Sequence, residues 1–195
     1  MQEPREEHME AAKHVLRYLK GNPGQGILLK TDCDLRLTAF CDSDWGACPL
    51  TRRSLTGYLV NLGNSPISWK TKKQSTVSRS SAEAEYRAMA TVTSEVIWVK
   101  AFLASMGVFL TRPINLFCDN QVALHIAKNP VFHERTKHIE IDCHFVRERI
   151  LSGDLTPSYL PSKYQIADIF TKALGKQQFQ FLHSKLGIVN PYAPT

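Results

Sequence analysis

The sequence predicts an α/β domain in which one sheet faces helices. Three strand-like runs lie close together in the first half of the chain, a long helical pattern follows, and strand, helices, strand and helix then complete the order. With 195 residues, 43% of them hydrophobic, the chain can bury a sizeable core, so it does not read as disordered.

Residues 4–19 carry Met9, Ala12, Val15, Leu16 and Leu19 at helical spacing. Gly21, Asn22, Pro23 and Gly24 then break the pattern, which marks an appendage. Apolar residues alternate at Leu35, Leu37, Ala39 and Cys41, predicting a strand over 35–41 that ends at Asp42, Ser43 and Asp44. A second strand over 54–62 closes on Gly63 and Asn64, and a third covers 66–70. The short connections predict antiparallel hairpins. Ser80 or Ser81 caps a helix reaching Met106, with Gly107 as its stop. A strand over 114–118 leads into a helix from Asn120 that stops before Pro130. Another helix spans 137–151, and a last strand spans 155–160. Ser162 and Gln165 fit a capping box for a final helix over 162–174, with Gly175 as terminator, and residues after Gly187 read as a frayed tail.

Twenty-four basic against eighteen acidic side chains give a formal charge of +6, which favours a polyanionic partner. The five cysteines are scattered without a C-x-x-C pair, which fits reduced thiols inside a cell. The first eight residues are charged, and no apolar run nears the roughly 18 residues of a membrane span.

Four acids fall where separate elements begin or end: Asp42 after the first strand, Glu85 in the long helix, Asp119 after the fourth strand and Asp168 in the last helix. Carboxylates gathered at neighbouring strand ends repel one another and call for hard cations such as Mg²⁺ between them. The apolar stripe of the long helix runs through Ala82, Met89, Val92, Val96, Val99, Leu103 and Met106, and at about 100° per residue Glu85 lies within about 40° of its members from Met89 to Leu103. Glu85 therefore faces inward, whereas Glu83 projects almost opposite, as a solvated charge would. Asp44 competes with Asp42 but falls two residues past the predicted strand.

The motifs Phe40-Cys41-Asp42-Ser43-Asp44-Trp45-Gly46, Ser80-Ser81-Ala82-Glu83-Ala84-Glu85-Tyr86, Cys118-Asp119-Asn120 and Ala167-Asp168-Ile169-Phe170-Thr171-Lys172 occur in this order. From about residue 4 to 187 the chain resembles the ribonuclease H region of copia-type retrotransposon polyproteins. Residues 14–21 resemble the segment joining a reverse transcriptase to its nuclease. The resemblance implies three parts: a reverse transcriptase connection over 1–30, a ribonuclease H domain over 31–187 and a tail over 188–195. It implies a ribonuclease H-like fold whose mixed five-stranded sheet has the order 3-2-1-4-5, with the second strand antiparallel and helices on both faces. It also implies that Asp42, Glu85, Asp119 and Asp168 bind two Mg²⁺ ions, replaceable by Mn²⁺, and cut the RNA strand of an RNA/DNA hybrid. The implied setting is reverse transcription inside a cell, in a cytoplasmic virus-like particle or the nucleus, beside the polymerase of the same polyprotein and away from membranes.

Many ribonucleases H carry a histidine before the last aspartate. Here residues 161–167 contain none.

Residues 69–79 hold Lys70, Lys72, Lys73 and Arg79 and no acid, a composition suited to phosphate contacts. Asn120 and Gln121 beside Asp119 are candidates for ribose hydroxyls. His133, His138, Cys143 and His144 lack the second paired set that structural zinc requires, and Arg135, Lys137, His138, Arg147 and Arg149 read as a solvated basic face. Two other functions compete: a non-catalytic binding or connector module, favoured by loss of one of the four acids, and an integrase-like transferase, which expects a glutamate where Asp168 stands.

Overall fold

Residues 3–21, 23–31, 34–129 and 139–190 are described by a computed structural model. In chain order the elements are α1 (Glu6–Gly21), β1 (Gly26–Ile27), β2 (Leu37–Asp44), β3 (Leu55–Leu62), β4 (Ser65–Lys73), α2 (Ser81–Ser105), β5 (Ile114–Cys118), α3 (Gln121–Lys128), α4 (Glu140–Leu151), β6 (Leu155–Tyr159), α5 (Lys176–Lys185) and β7 (Ile188–Val189). Two short 3-10 helices, Ser162–Tyr164 and Ile166–Phe170, lie between β6 and α5. The predicted start of α4 and the residues His133, Arg135, Lys137 and His138 lie outside the described residues.

The period-2 pattern of β2 sorts its side chains between two cores. Leu37, Ala39 and Cys41 join Tyr58 and Val60 beneath α2, α3 and α4. Phe40 points the other way, to Leu59, Ile166, Ile169, Phe170 and Leu186. The sheet therefore carries helical segments on both faces. Its strand order is β4-β3-β2-β5-β6, with β3 antiparallel to both neighbours and β5 and β6 parallel to β2. This is the sheet that the resemblance implies.

Several boundaries differ from expectation. The first strand covers 37–44, leaving Leu35 exposed, and runs through the residues expected to turn. Ser43 and Asp44 stay in the strand because β3 satisfies them: Ser43 Oγ donates to the Leu55 carbonyl at 2.9 Å, and Asp44 Oδ1 accepts from the Leu55 N–H. The third strand continues to Lys73, so the basic stretch is half strand and half turn.

The expected last helix is instead the pair of 3-10 turns, and Gly175 begins α5 rather than ending a helix. Gln165 is spent on the fold: its Nε2 donates to the Cys41 carbonyl at 3.0 Å, and its Oε1 accepts from Ala167 N–H. Ile188 and Val189, expected in the tail, pair antiparallel with Ile27 and Gly26. By contrast α1 buries none of its residues.

The α2 helix starts on Ser80, whose Oγ accepts from Glu83 N–H at 3.2 Å. Its inward stripe includes Glu85, Met89, Val92, Val96, Val99 and Leu103, while Met106 is exposed. Glu83 is not the solvated charge expected. It is buried, accepts from Arg79 N–H at 2.7 Å and pairs with Arg87 at 3.0 Å. The first turns of α2 are enclosed on more than one side, with Gln74 Nε2 donating to the Ala84 carbonyl and α4 packed alongside. Helical projection alone therefore did not decide exposure there. Arg147, expected on a solvated face, ties α4 to α3 by donating to the Ile126 and Asn129 carbonyls.

Candidate active site

The parallel β2–β5 ladder ends at the pair Phe40 and Phe117. Beyond it the strands are no longer paired, and Asp42 and Asp119 stand at their C-terminal ends. Gln165 fills part of the gap, bridging the Cys41 and Phe117 carbonyls. The 3-10 helix Ile166–Phe170 brings Asp168 over the same end of the sheet, and the second turn of α2 brings Glu85 from the other face.

Carboxylate oxygens of Asp42, Asp119 and Asp168 lie within 4.8 Å of one another, and so do ligand atoms of Glu85, Cys118 and Asp119. Asp119, shared by both groups, is partly exposed and faces the opening. Asp42, Glu85 and Asp168 are buried. All four acids singled out in the sequence are thus brought together. Asp44 is turned to the β3 backbone instead.

Four nearby residues donate to these acids. Lys172 Nζ lies 2.9 Å from Asp42 Oδ1 and 2.9 Å from Asp168 Oδ1. Thr171 Oγ1 donates to Asp42 Oδ2, Ser162 Oγ donates to Asp119 Oδ2 at 2.7 Å, and Ser43 N–H donates to Glu85 Oε1 at 3.1 Å.

Burial, reinforced by Cys118, Asp42 and Asp119, raises the Glu85 carboxyl well above its usual range, against the Ser43 N–H. Burial and the Asp42 charge push Asp168 up to about 7, although Lys172 opposes them. Burial disfavours the Lys172 ammonium, but the Asp42 and Asp168 carboxylates outweigh it and raise its pKa above the ordinary value.

The all-oxygen group Asp42, Asp119 and Asp168, partly open to solvent at Asp119, fits a hard divalent cation such as Mg²⁺ or Mn²⁺, while the group that Asp119 forms with Glu85 also includes the Cys118 thiol. The Lys172 ammonium between Asp42 and Asp168 is direct evidence that this position accepts positive charge.

The predicted substrate-contacting residues are more dispersed. Lys70 and Lys72 are exposed on β4, an outer strand of the sheet. Lys73 donates to Cys48 Sγ at 3.2 Å, and hydrogen bonds from Thr51 and then Lys73 lower that thiol to about 6. Arg79 is exposed just before α2. Gln121 is exposed beside Asp119, whereas Asn120 caps α3 by accepting from Ala123 N–H at 3.0 Å.

Lys172, Thr171, Ser162 and Gln165 were given no role in the site by sequence reasoning. Lys172 stands four residues after Asp168, a spacing that brings side chains together on an α-helical turn such as the one expected over 162–174, and this was the available signal.

Strand order, helices on both faces and the carboxylates at the strand ends define an α/β domain of the ribonuclease H-like fold. No protein-family model matches the chain. Over 188 residues, 96% of the chain, it is 46% identical to a retrovirus-related Pol polyprotein from transposon RE1 of Arabidopsis thaliana. It is 34% identical, again over 188 residues, to that from transposon TNT 1-94 of Nicotiana tabacum. The chain spans 13% and 14% of the lengths of these two relatives. Among solved structures it is similar to LC11-RNase H1 isolated from compost, at 16% identity and a TM-score of 0.49, over 71% of this chain and 94% of that one. The chain thus matches the ribonuclease H region of retrotransposon Pol polyproteins.

Proposed function

We propose that this domain is a metal-dependent endonuclease that hydrolyses the RNA strand of RNA/DNA hybrids during retrotransposon reverse transcription. The observation that carries the reading is the convergence of Asp42, Glu85, Asp119 and Asp168, from four separate elements, on one end of the sheet. Bound Mg²⁺ or Mn²⁺ would supply the positive charge that activates water and stabilises the leaving oxygen. Asp42, Asp119 and Asp168 would hold the ions, with Glu85 completing the set from α2. Thr171 orients Asp42, and Ser162 orients Asp119, through the hydrogen bonds they donate.

Lys70, Lys72, Lys73, Arg79 and Gln121 position the hybrid through phosphate and ribose, as does whatever donor capacity Asn120 retains beyond its cap. The polymerase of the same polyprotein is the natural partner, since a retrotransposon polymerase generates the hybrid. The test is cleavage of a hybrid labelled in its RNA strand. Cutting with Mg²⁺, none with EDTA, and products ending in 3′-hydroxyl and 5′-phosphate are expected. A 2′,3′-cyclic phosphate would exclude the mechanism, and binding without cleavage would favour a connector module.

A further inference from the structure

Lys172 offers its ammonium to two carboxylates at equal distance, 2.9 Å from Asp42 Oδ1 and 2.9 Å from Asp168 Oδ1. One of these acids is fully buried and the other nearly so, while the lysine side chain is 37% exposed. The ammonium therefore fills the space between the two acids from the solvent side, on a flexible stem of four carbons. It also offsets negative charge at the pair, where buried acids do not tolerate an unpaired charge.

We propose that Lys172 is a tethered cation that occupies the Asp42–Asp168 position while no metal is bound and must swing out before a divalent ion takes it. The inference rests on the reading of Asp42 and Asp168 as metal ligands. Lys172 and the metal then exclude one another at this position, because both need the same Asp42 and Asp168 oxygens and two cations in one small space repel. The lysine offsets part of the negative charge of the metal-free site, and it sets how much metal is needed to fill it. Apparent affinity falls by the fraction of molecules whose site is open, so a lysine docked most of the time weakens metal binding severalfold. The undocked ammonium is left at the mouth of the site, on the solvent side from which a phosphate would approach.

Two measurements on the full chain test this. The first compares Mn²⁺ binding to the wild type, Lys172→Met, Lys172→Arg and Asp42→Asn, with folding checked by near-ultraviolet circular dichroism. Lys172→Met should bind Mn²⁺ at least about fivefold more tightly than the wild type. Lys172→Arg, which keeps a cation, should stay nearer the wild type, and Asp42→Asn should bind weakly. Unchanged or weaker binding in Lys172→Met overturns the inference alone, provided that Asp42→Asn still loses binding. Absence of Mn²⁺ binding in every variant overturns it together with the metal-site reading.

The second uses the unmodified protein and so does not depend on a variant folding. Acylation of Lys172, followed by mass spectrometry with Lys163 and Lys176 as internal references, should accelerate severalfold on addition of Mg²⁺ as the amine is released to solvent. A rate that Mg²⁺ leaves unchanged or slows overturns the inference.

Discussion

Gly57 stands directly opposite Asp42 in the β2–β3 ladder, and the segment that carries Asp168 lies against its bare backbone. A Cβ there would sit 2.6 Å from Thr171 Cγ2, 2.8 Å from Phe170 Cβ and 3.1 Å from the Ala167 carbonyl oxygen. The absence of one methyl group thus lets the 3-10 segment reach the strand end. Gly57→Ala should cost about 1–3 kcal/mol in urea denaturation. It should also reduce cleavage beyond the loss of folded protein, because Thr171 and Asp168 would shift away from Asp42. Full activity and stability in this variant would contradict the close approach.

Asp42→Asn and Asp119→Asn should each abolish hybrid cleavage while leaving the circular dichroism spectrum unchanged, since the substitution removes charge with little change in volume. Retained cutting in both would remove these residues from the site.

The two neighbouring glutamates should separate by readout. Glu85→Gln removes a buried carboxyl whose ionisation the fold disfavours, so it should eliminate cleavage and leave metal-free stability equal or higher. Glu83→Gln weakens the bond to Arg79 N–H and the pair with Arg87, so it should lower stability by about 1–3 kcal/mol and keep most of the activity per folded molecule. Denaturation and cleavage measured on the same samples distinguish the two.

Much of this arrangement was legible in the chain. Alternation placed β2, the turn residues Gly63 and Asn64 bounded β3, and the spacing of Met89, Val92, Val96 and Leu103 turned Glu85 inward. What was not legible came from partners distant in sequence. Glu83 has its polar partners, Arg79 and Arg87, four residues away, but the enclosure of the first turns of α2 by Gln74 and α4 is not reported by projection along one helix. Gln165 looked like half of a capping box with Ser162; it caps the 3-10 helix Ile166–Phe170 through Ala167 N–H instead, and its Nε2 reaches the carbonyls of Cys41 and Phe117, 124 and 48 residues away. Ser43 and Asp44 looked like a turn because their side chains favour turns, yet β3 gives both a partner.

A pH dependence follows from Asp168, raised to about 7, and Glu85, also raised. Both carboxyls hold their protons in the folded protein at a pH where the unfolded chain has released them. Between the unfolded value near 4 and the folded value near 7 the folded state binds more protons, so stability without metal should fall as pH rises. Metal requires the ionised form, so Mg²⁺ should stabilise the protein more at pH 8 than at pH 5. Thermal melts in EDTA and in Mg²⁺ across this range are the check, and metal-free stability that climbs from pH 5 to 7 would refute the assignment.

Replacing Lys70, Lys72 and Lys73 with alanine should weaken hybrid binding to a similar degree for different sequences. It should also flatten the salt dependence by about 0.9 in logarithmic slope for each phosphate that is no longer neutralised, on the scale set by B-form DNA. An unchanged slope would mean that these lysines only face solvent.

The pairing of Gly26 with Val189 and of Ile27 with Ile188 fastens the segments before and after the five-stranded sheet side by side, and Leu28 N–H adds a bond to the Gly187 carbonyl at 3.2 Å. Paired antiparallel residues have their Cα atoms about 5 Å apart, so the chain comes in and goes out through one doorway. A unit with such a doorway can be spliced into a longer protein, or have its ends joined by a short linker and new ends opened elsewhere, without pulling the sheet or the carboxylates at its rim out of shape.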